Sequence, residues 1–211
     1  MRCERLVLAS RNPGKLREIR RALAGLPVRV VPVAEVHDAP APEETRATFA
    51  ENARDKALYY ARATGHWCLA DDSGLVVDAL GGAPGVYSAR YAVEDLPPDA
   101  SRDEIDRANN AKLLAEMKDV PEPQRTARFV CHLAMASPQS VLLEAQGRVE
   151  GRILRTPRGE NGFGYDPVFF IPSCGCTAAE LSPREKNRVS HRGKAVRRFV
   201  KLLEEFLSSR G

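Results

Sequence analysis

The sequence predicts an α/β fold with a mixed β-sheet flanked by helices, and three observations carry that expectation. An apolar run, Leu6 to Ala9, passes through a polar, glycine-containing loop into a segment of helical spacing. Thr48-Phe49-Ala50-Glu51 is a helix-opening signature that precedes another apolar run, Trp67 to Ala70. Two longer alternating runs, Arg125 to Ala136 and Val141 to Leu154, meet through Ser137-Pro138-Gln139 and read as an antiparallel hairpin. The early half thus layers strands with helices, and the middle adds a β-ribbon. At 211 residues the chain makes one domain, or one domain with two lobes, and can bury a substantial core.

Taken in order, Leu6-Val7-Leu8-Ala9 is the first strand and LREIRRALAGL the first helix, with Leu16, Ile19, Ala22 and Leu23 on one face. The loop between them, Ser10-Arg11-Asn12-Pro13-Gly14-Lys15, aims a positive helix end at an anion. Lys15 sits where the helix dipole disfavours a cation, a conflict that a bound phosphate would remove. The spacing is not that of a P-loop. Val28 to Val33 reads as a second strand, followed by a long acidic loop that carries Glu43 and Glu44, either of which could reach a metal. The helix opened by Thr48 and Glu51 runs to about Gly65 and aligns Thr48, Asn52 and Lys56 on one face.

Trp67-Cys68-Leu69-Ala70 then forms a buried strand ending on two carboxylates, Asp71 and Asp72, with a tight turn expected at Ser73-Gly74. Successive strand side chains point to opposite faces, so only one of the two acids serves a given site. Asp72 is the better candidate, because Ser73 and Gly74 open the backbone after it, and a cation such as Lys56 nearby would keep it ionised. Gly81 to Gly85 makes a bend. Ser101 and Glu104 open a third helix reaching about Lys118, with Ile105, Leu113, Leu114 and Met117 inward. Beyond the hairpin, Gly162-Phe163-Gly164-Tyr165-Asp166 sets a ring between two permissive residues, from which Phe163 can lie against a planar base. Ser182-Pro183-Arg184-Glu185 opens another helix. Lys186, His191, Arg192 and Lys194 then offer cations for phosphate and donors for a carbonyl.

Composition narrows the class. The formal net charge of +4 suits a polyanionic small molecule or nucleic acid without choosing between them. Five cysteines in no framework spacing point to reduced thiols and a cytoplasmic setting. Cys174-Gly175-Cys176 is the one close pair, and without a second pair or a nearby histidine no structural metal is expected. Met1-Arg2-Cys3-Glu4-Arg5 does not read as a secretory leader, and no apolar stretch approaches the roughly 20 residues needed to span a bilayer. No membrane partner is expected.

The segments LASRNPGK, TFAENARDKA, LADDSGLVVDALGGAPGVYSARYA, GENGFGYDPVFF and AAELSPREKNRVSHRGKA, in this order and spacing, closely resemble the bacterial inosine/xanthosine triphosphate pyrophosphatase family. The likeness extends from Leu6 to the last helix. It implies a single domain over residues 1–211, an elongated α/β subunit of two lobes with the nucleotide cleft between them, acting as a homodimer. The implied reaction is Mg²⁺-assisted hydrolysis of ITP, dITP and XTP to monophosphate and pyrophosphate. Carried over residue by residue, Ser10, Arg11, Asn12, Pro13, Gly14 and Lys15 bind phosphate, Asp72 is the catalytic acid and a metal ligand, and Lys56 lies beside it. The acidic loop, through Glu43 or Glu44, is the expected source of a second metal ligand. Ser73, Phe163, Gly164, Tyr165, Asp166, Lys186, His191 and Arg192 contact substrate. Many members begin the first loop Thr-Gly-Asn; here Ser10-Arg11-Asn12 keeps the hydroxyl and gives up the glycine. Arg192 and the amides near His191 are the expected donors to a 6-oxo group. A related pyrophosphatase of the Maf type is disfavoured by the FGYD and SHRG segments. A nucleic-acid-binding module is disfavoured because strand-end carboxylates repel phosphates unless a metal is bound.

Overall fold

The computed structural model describes residues 4–38 and 42–209. The leader expectation at Met1 to Cys3, and residues 39–41 of the acidic loop, lie outside the described residues. Seven strands form one sheet: β1 (Glu4–Leu8), β2 (Val28–Pro32), β3 (Trp67–Val77), β4 (Thr126–Ala136), β5 (Val141–Ile153), β6 (Phe169–Ile171) and β7 (Cys176–Thr177). Their order is β2-β1-β3-β4-β5-β6-β7. The β1 strand pairs in parallel with β2 and β3, whereas β6 is antiparallel to β5 and to β7, so the sheet is mixed as expected. Among the described residues the α-helices are α1 (Pro13–Ala22), α2 (Phe49–Thr64), α3 (Arg102–Glu116), α4 (Pro183–Val189) and α5 (His191–Ser208).

The chain divides into two compact units. The first comprises residues 1–72, 131–147 and 194–211, the second 73–130 and 148–193. In the first, the strand period sorts the core onto both faces of the sheet. Leu6, Leu8 and Leu69 pack with Ile19 and Leu23 of α1 and with Val196, Phe199 and Leu203 of α5. Val7, Ala9, Cys68 and Ala70 face α2 through Ala53, Ala57, Tyr60 and Ala61. Parallel strands buried on both faces read as continuous apolar runs, which is why these were legible.

The second unit is built around Leu75, Val77, Leu113, Met117, Phe129, Val149, Val168 and Phe169. Arg125 is buried in the same unit, with 1% of its surface exposed. Its guanidinium donates to the carbonyls of Ile153 (2.7 Å), Leu154 (3.0 Å) and Val120 (3.4 Å), and to that of Met117. It therefore ties the end of α3 to the end of β5 rather than opening β4, as its place in the alternating run suggested.

The strand β3 corrects another expectation. There is no turn at Ser73-Gly74, because β3 runs unbroken through both residues. Gly74 keeps an ordinary φ and is buried, and the Leu75 amide donates to Ser88 Oγ at 2.8 Å. The β1 pairing ends at Leu69, and the extended course of β3 beyond it, beside β4 in the sheet order, overrides the local turn preference of the Ser-Gly pair.

Candidate functional site

In the first unit, the alternation along β3 carries on to its two acids. Asp71 and Asp72 are 5% and 8% exposed, and they turn to opposite sides. Asp71 continues the face of Leu69 and meets Lys15 of α1, whose ammonium lies 2.8 and 2.7 Å from its two oxygens. Asp72 continues the face of Ala70 and accepts from the Asn52 amide of α2 at 3.0 Å. Lys15 is thus a cation in the first turn of α1 that is answered by Asp71, so phosphate is not required to resolve its conflict with the helix dipole.

The loop before α1 is internally braced. Asn12 Oδ1 accepts from the amides of Gly14 (2.7 Å) and Lys15 (3.3 Å), and Ser10 Oγ accepts from the Asn12 amide (3.1 Å). The amides of Asn12, Gly14 and Lys15 are therefore engaged within the loop, and the charges it carries are those of Arg11 and Lys15. Arg11 is exposed and donates to the Asp38 carbonyl at 3.3 Å. Pro13 opens α1; its side chain lies outside the described residues.

Lys56, one turn beyond Asn52 on α2, is paired with Glu44 at 2.6 Å. Burial works against its ammonium, but Glu44, with Asp71 and Asp72 behind it, outweighs burial and holds its pKa above the ordinary lysine value. Of the two acids considered for a metal, Glu44 is the one engaged in this cluster, while Glu43 is exposed. Asn52 links the two sides: its Nδ2 holds Asp72 while its Oδ1 accepts the Arg46 amide at 2.9 Å. With the acceptor half taken by the backbone, the amide is turned so that its donor half faces the carboxylate. Thr48 caps α2 as expected, yet Glu51 accepts from the Thr48 hydroxyl (2.7 Å), not from its backbone amide.

Among the described residues no three histidine, cysteine or acidic side chains come together as a metal cage. Mg²⁺ is ordinarily held by one or two carboxylates together with waters and substrate phosphates. Asp72 and Glu44, both hard oxygen donors around Lys56, fit a metal shared with a substrate. Asp71 has both oxygens on Lys15.

In the second unit, Phe163 is 57% exposed, which removes it from the core. The Lys186 ammonium lies 4.6 Å from its ring centroid and also pairs with Asp166. Asp166, 4% exposed, accepts the Phe163 amide at 2.8 Å. Gly162 permits this: its φ is +86°, and a Cβ there would stand 2.2 Å from Asp166 Oδ2. Tyr165 is buried and donates to the Ser88 carbonyl at 3.0 Å. Burial pushes its phenol far up, so it stays a neutral donor.

Ser182 and Glu185 form the expected reciprocal cap on α4. Gly193 allows α5 to begin close against α4, since a Cβ would fall 1.8 Å from the Asn187 carbonyl. That approach sets His191 and Arg192. The His191 ring stacks on Phe129 at 4.9 Å with 14° between planes, and Arg192 donates to Ser73 Oγ at 3.2 Å. The sequence singled out neither Asn52 nor Asp71 as a site residue; the four-residue spacing of Asn52 from Lys56 was the signal for the first.

Residues 6–202 match the model described as the Ham1 family. The chain is 52% identical over 192 residues to a dITP/XTP pyrophosphatase of Geobacter sulfurreducens, covering 91% of this chain and 92% of that one. It is likewise 52% identical over 200 residues to a dITP/XTP pyrophosphatase of Pseudomonas aeruginosa, covering 93% and 95%. Its fold is similar to that of a HAM1 protein from Coxiella burnetii, with a TM-score of 0.87 and 43% identity over 96% of this chain and 99% of the other.

Proposed function

The chain belongs to the Ham1 family, and from that premise we propose that it hydrolyses ITP, dITP and XTP to the nucleoside monophosphate and pyrophosphate, clearing them before incorporation into DNA or RNA. The observation that carries the mechanism is the buried Asp72, held through one oxygen by Asn52 at 3.0 Å beside paired cations. In its carboxylate form Asp72 takes a proton from water as the water oxygen bonds to the α-phosphorus. The bond from that phosphorus to the bridging oxygen breaks, and pyrophosphate leaves with the electron pair. Lys15 and Lys56 offset the triphosphate charge, as positioning and electrostatics supply most of the rate in phosphoryl transfer. Mg²⁺, held by Asp72 and Glu44 together with the phosphates, would add charge neutralisation on the leaving group.

The second unit supplies recognition. Phe163 offers its face to the purine, and Arg192, with amides near His191, donates to the 6-oxo group. Adenine, with an amine there, leaves such donors unpaired, and that kind of mismatch discriminates strongly. The enzyme is further read as a cytoplasmic homodimer acting as one functional domain; among the described residues Cys68, Cys131, Cys174 and Cys176 are free thiols, which fits a reducing compartment. Sedimentation at working concentration tests the dimer. The deciding experiment is pyrophosphate release from ITP, dITP, XTP, ATP and GTP with Mg²⁺, with the monophosphate identified. Preference for the first three by orders of magnitude is expected; orthophosphate as product would overturn the cleavage position.

A further inference from the structure

The loop that carries Phe163 is held by a helix more than fifty residues earlier in the chain. Asp106 and Asn110 lie one turn apart on α3 and so share a face. Asp106 Oδ2 accepts the Gly164 amide at 2.7 Å, and Asn110 Nδ2 donates to the Gly164 carbonyl at 2.8 Å. Both polar groups of the residue following Phe163 are thus gripped by two side chains of one helix. Asn110 Nδ2 also donates to the Asp106 carbonyl at 2.7 Å, which fixes its own orientation. On the near flank, the Phe163 amide is taken by Asp166. Asp106 itself is 9% exposed and pairs with Arg102 at 3.1 Å.

This arrangement is a poor bargain for folding alone. Burying carboxylates is costly, and the ring they hold stays in water, where its apolar face contributes nothing to the core. A tethered ring does favour a planar ligand, because the ordering entropy is already spent when the ligand arrives. Resting on the reading of Phe163 as a base-stacking surface, we propose that Asp106 and Asn110 are positioning residues that hold Phe163 in its stacking pose and thereby set affinity for the purine base. They touch neither the phosphates nor the scissile bond in this scheme.

The test uses Asn110→Ala and the near-isosteric Asn110→Asp, which keeps the shape but removes the donor, alone and combined with Phe163→Ala. Each single Asn110 variant is expected to raise KM for ITP about 5–20-fold with kcat within about twofold. That rise should vanish in the Phe163→Ala background, because the held ring is gone. Asp106→Asn, which can still accept the Gly164 amide, should stay within about threefold of the parent KM. Amide hydrogen exchange at Phe163 and Gly164 gives a readout independent of turnover, and it should quicken in Asn110→Asp. Unchanged exchange overturns the clamp even if the parent enzyme proves inactive on ITP, an outcome that would instead remove the assigned substrate. A KM rise that persists without Phe163, or a loss confined to kcat, overturns the positioning role.

Discussion

The two units put their buried polar groups to different uses. In the first, the charged side chains around β3 are answered in pairs: Lys15 with Asp71, Lys56 with Glu44, and Asp72 with the Asn52 amide. In the second, buried polar groups serve to keep an apolar ring outside, as Asp166 and Asp106 hold the backbone beneath Phe163. The first arrangement suits chemistry on a polyanion, where charges must be in place before reaction. The second suits recognition, where shape must be in place before binding. The difference predicts that variants at Asp72 and Asn52 in the first unit lower kcat and that variants at Phe163 and the groups holding it in the second raise KM.

The sharpest test of that division is Asp72→Asn. The amide keeps the size but cannot take a proton from water, and kcat should fall by about 10²–10⁴-fold, as for loss of a general base. Folding should survive, so an unchanged circular dichroism spectrum with lost turnover is the expected pair of results. Retained activity would strip Asp72 of its role.

Next in size is Asn52→Ala, which leaves Asp72 without its donor. Hydrogen bonds to charged groups are worth about 1.5–3 kcal/mol, which corresponds to roughly 10–150-fold in rate if the bond is needed in the transition state. The loss should fall on kcat, with KM little changed. A rise in KM alone would blur the distinction between the units. Phe163→Ala should behave in the converse way. Stacking on a base is worth about 1–3 kcal/mol, so KM should rise about 5–150-fold across purine substrates while kcat holds. Unchanged KM would return Phe163 to the status of an ordinary exposed ring.

Most of the fold was legible because its cores follow simple periods. Leu6, Leu8 and Leu69 on one face and Val7, Cys68 and Ala70 on the other are a strand pattern that needs no knowledge of partners. The caps at Ser101 and Ser182 were equally local. What escaped were features decided by distant partners. Ser73-Gly74 carries a turn preference, yet both residues lie within a sheet-bound strand. The inward face at α3 was read from Ile105, Leu113, Leu114 and Met117; Leu113 and Met117 are buried as expected, but Ile105 and Leu114 are only partly so, while Asp106 and Asn109 are buried. A buried aspartate or asparagine is invisible to apolar periodicity, because its partners lie in loops that the helix pattern does not encode. Asn109 shows this: it accepts the Ala92 amide at 2.8 Å and donates to the Ser88 carbonyl at 3.4 Å. The site was legible as a set of residue types, while its pairings were not.

The smallest effect comes from a charge pair that belongs to the first unit but not to its chemistry. Arg54 binds both oxygens of Glu144 at 2.6 and 3.1 Å, and His132 lies 2.9 Å from the same carboxylate. Burial pushes the Glu144 carboxyl up, but the bonds from Arg54 and His132 outweigh it and set its pKa below the usual value of 4.5. A depressed carboxylate contributes stability that is present above the unfolded pKa and lost as pH falls through the folded one. Glu144→Gln should therefore cost stability at neutral pH, and by no more than about 1 kcal/mol because the pair is a third exposed on the acid side. The gap between variant and parent should close as the pH drops below 4.5. Denaturant titrations at pH 7, 5 and 3.5 would read this directly, and kcat should not follow. A rate loss in Glu144→Gln would mean that pairing in the first unit serves catalysis even at a distance from Asp72, and that its charge pairs act as one network.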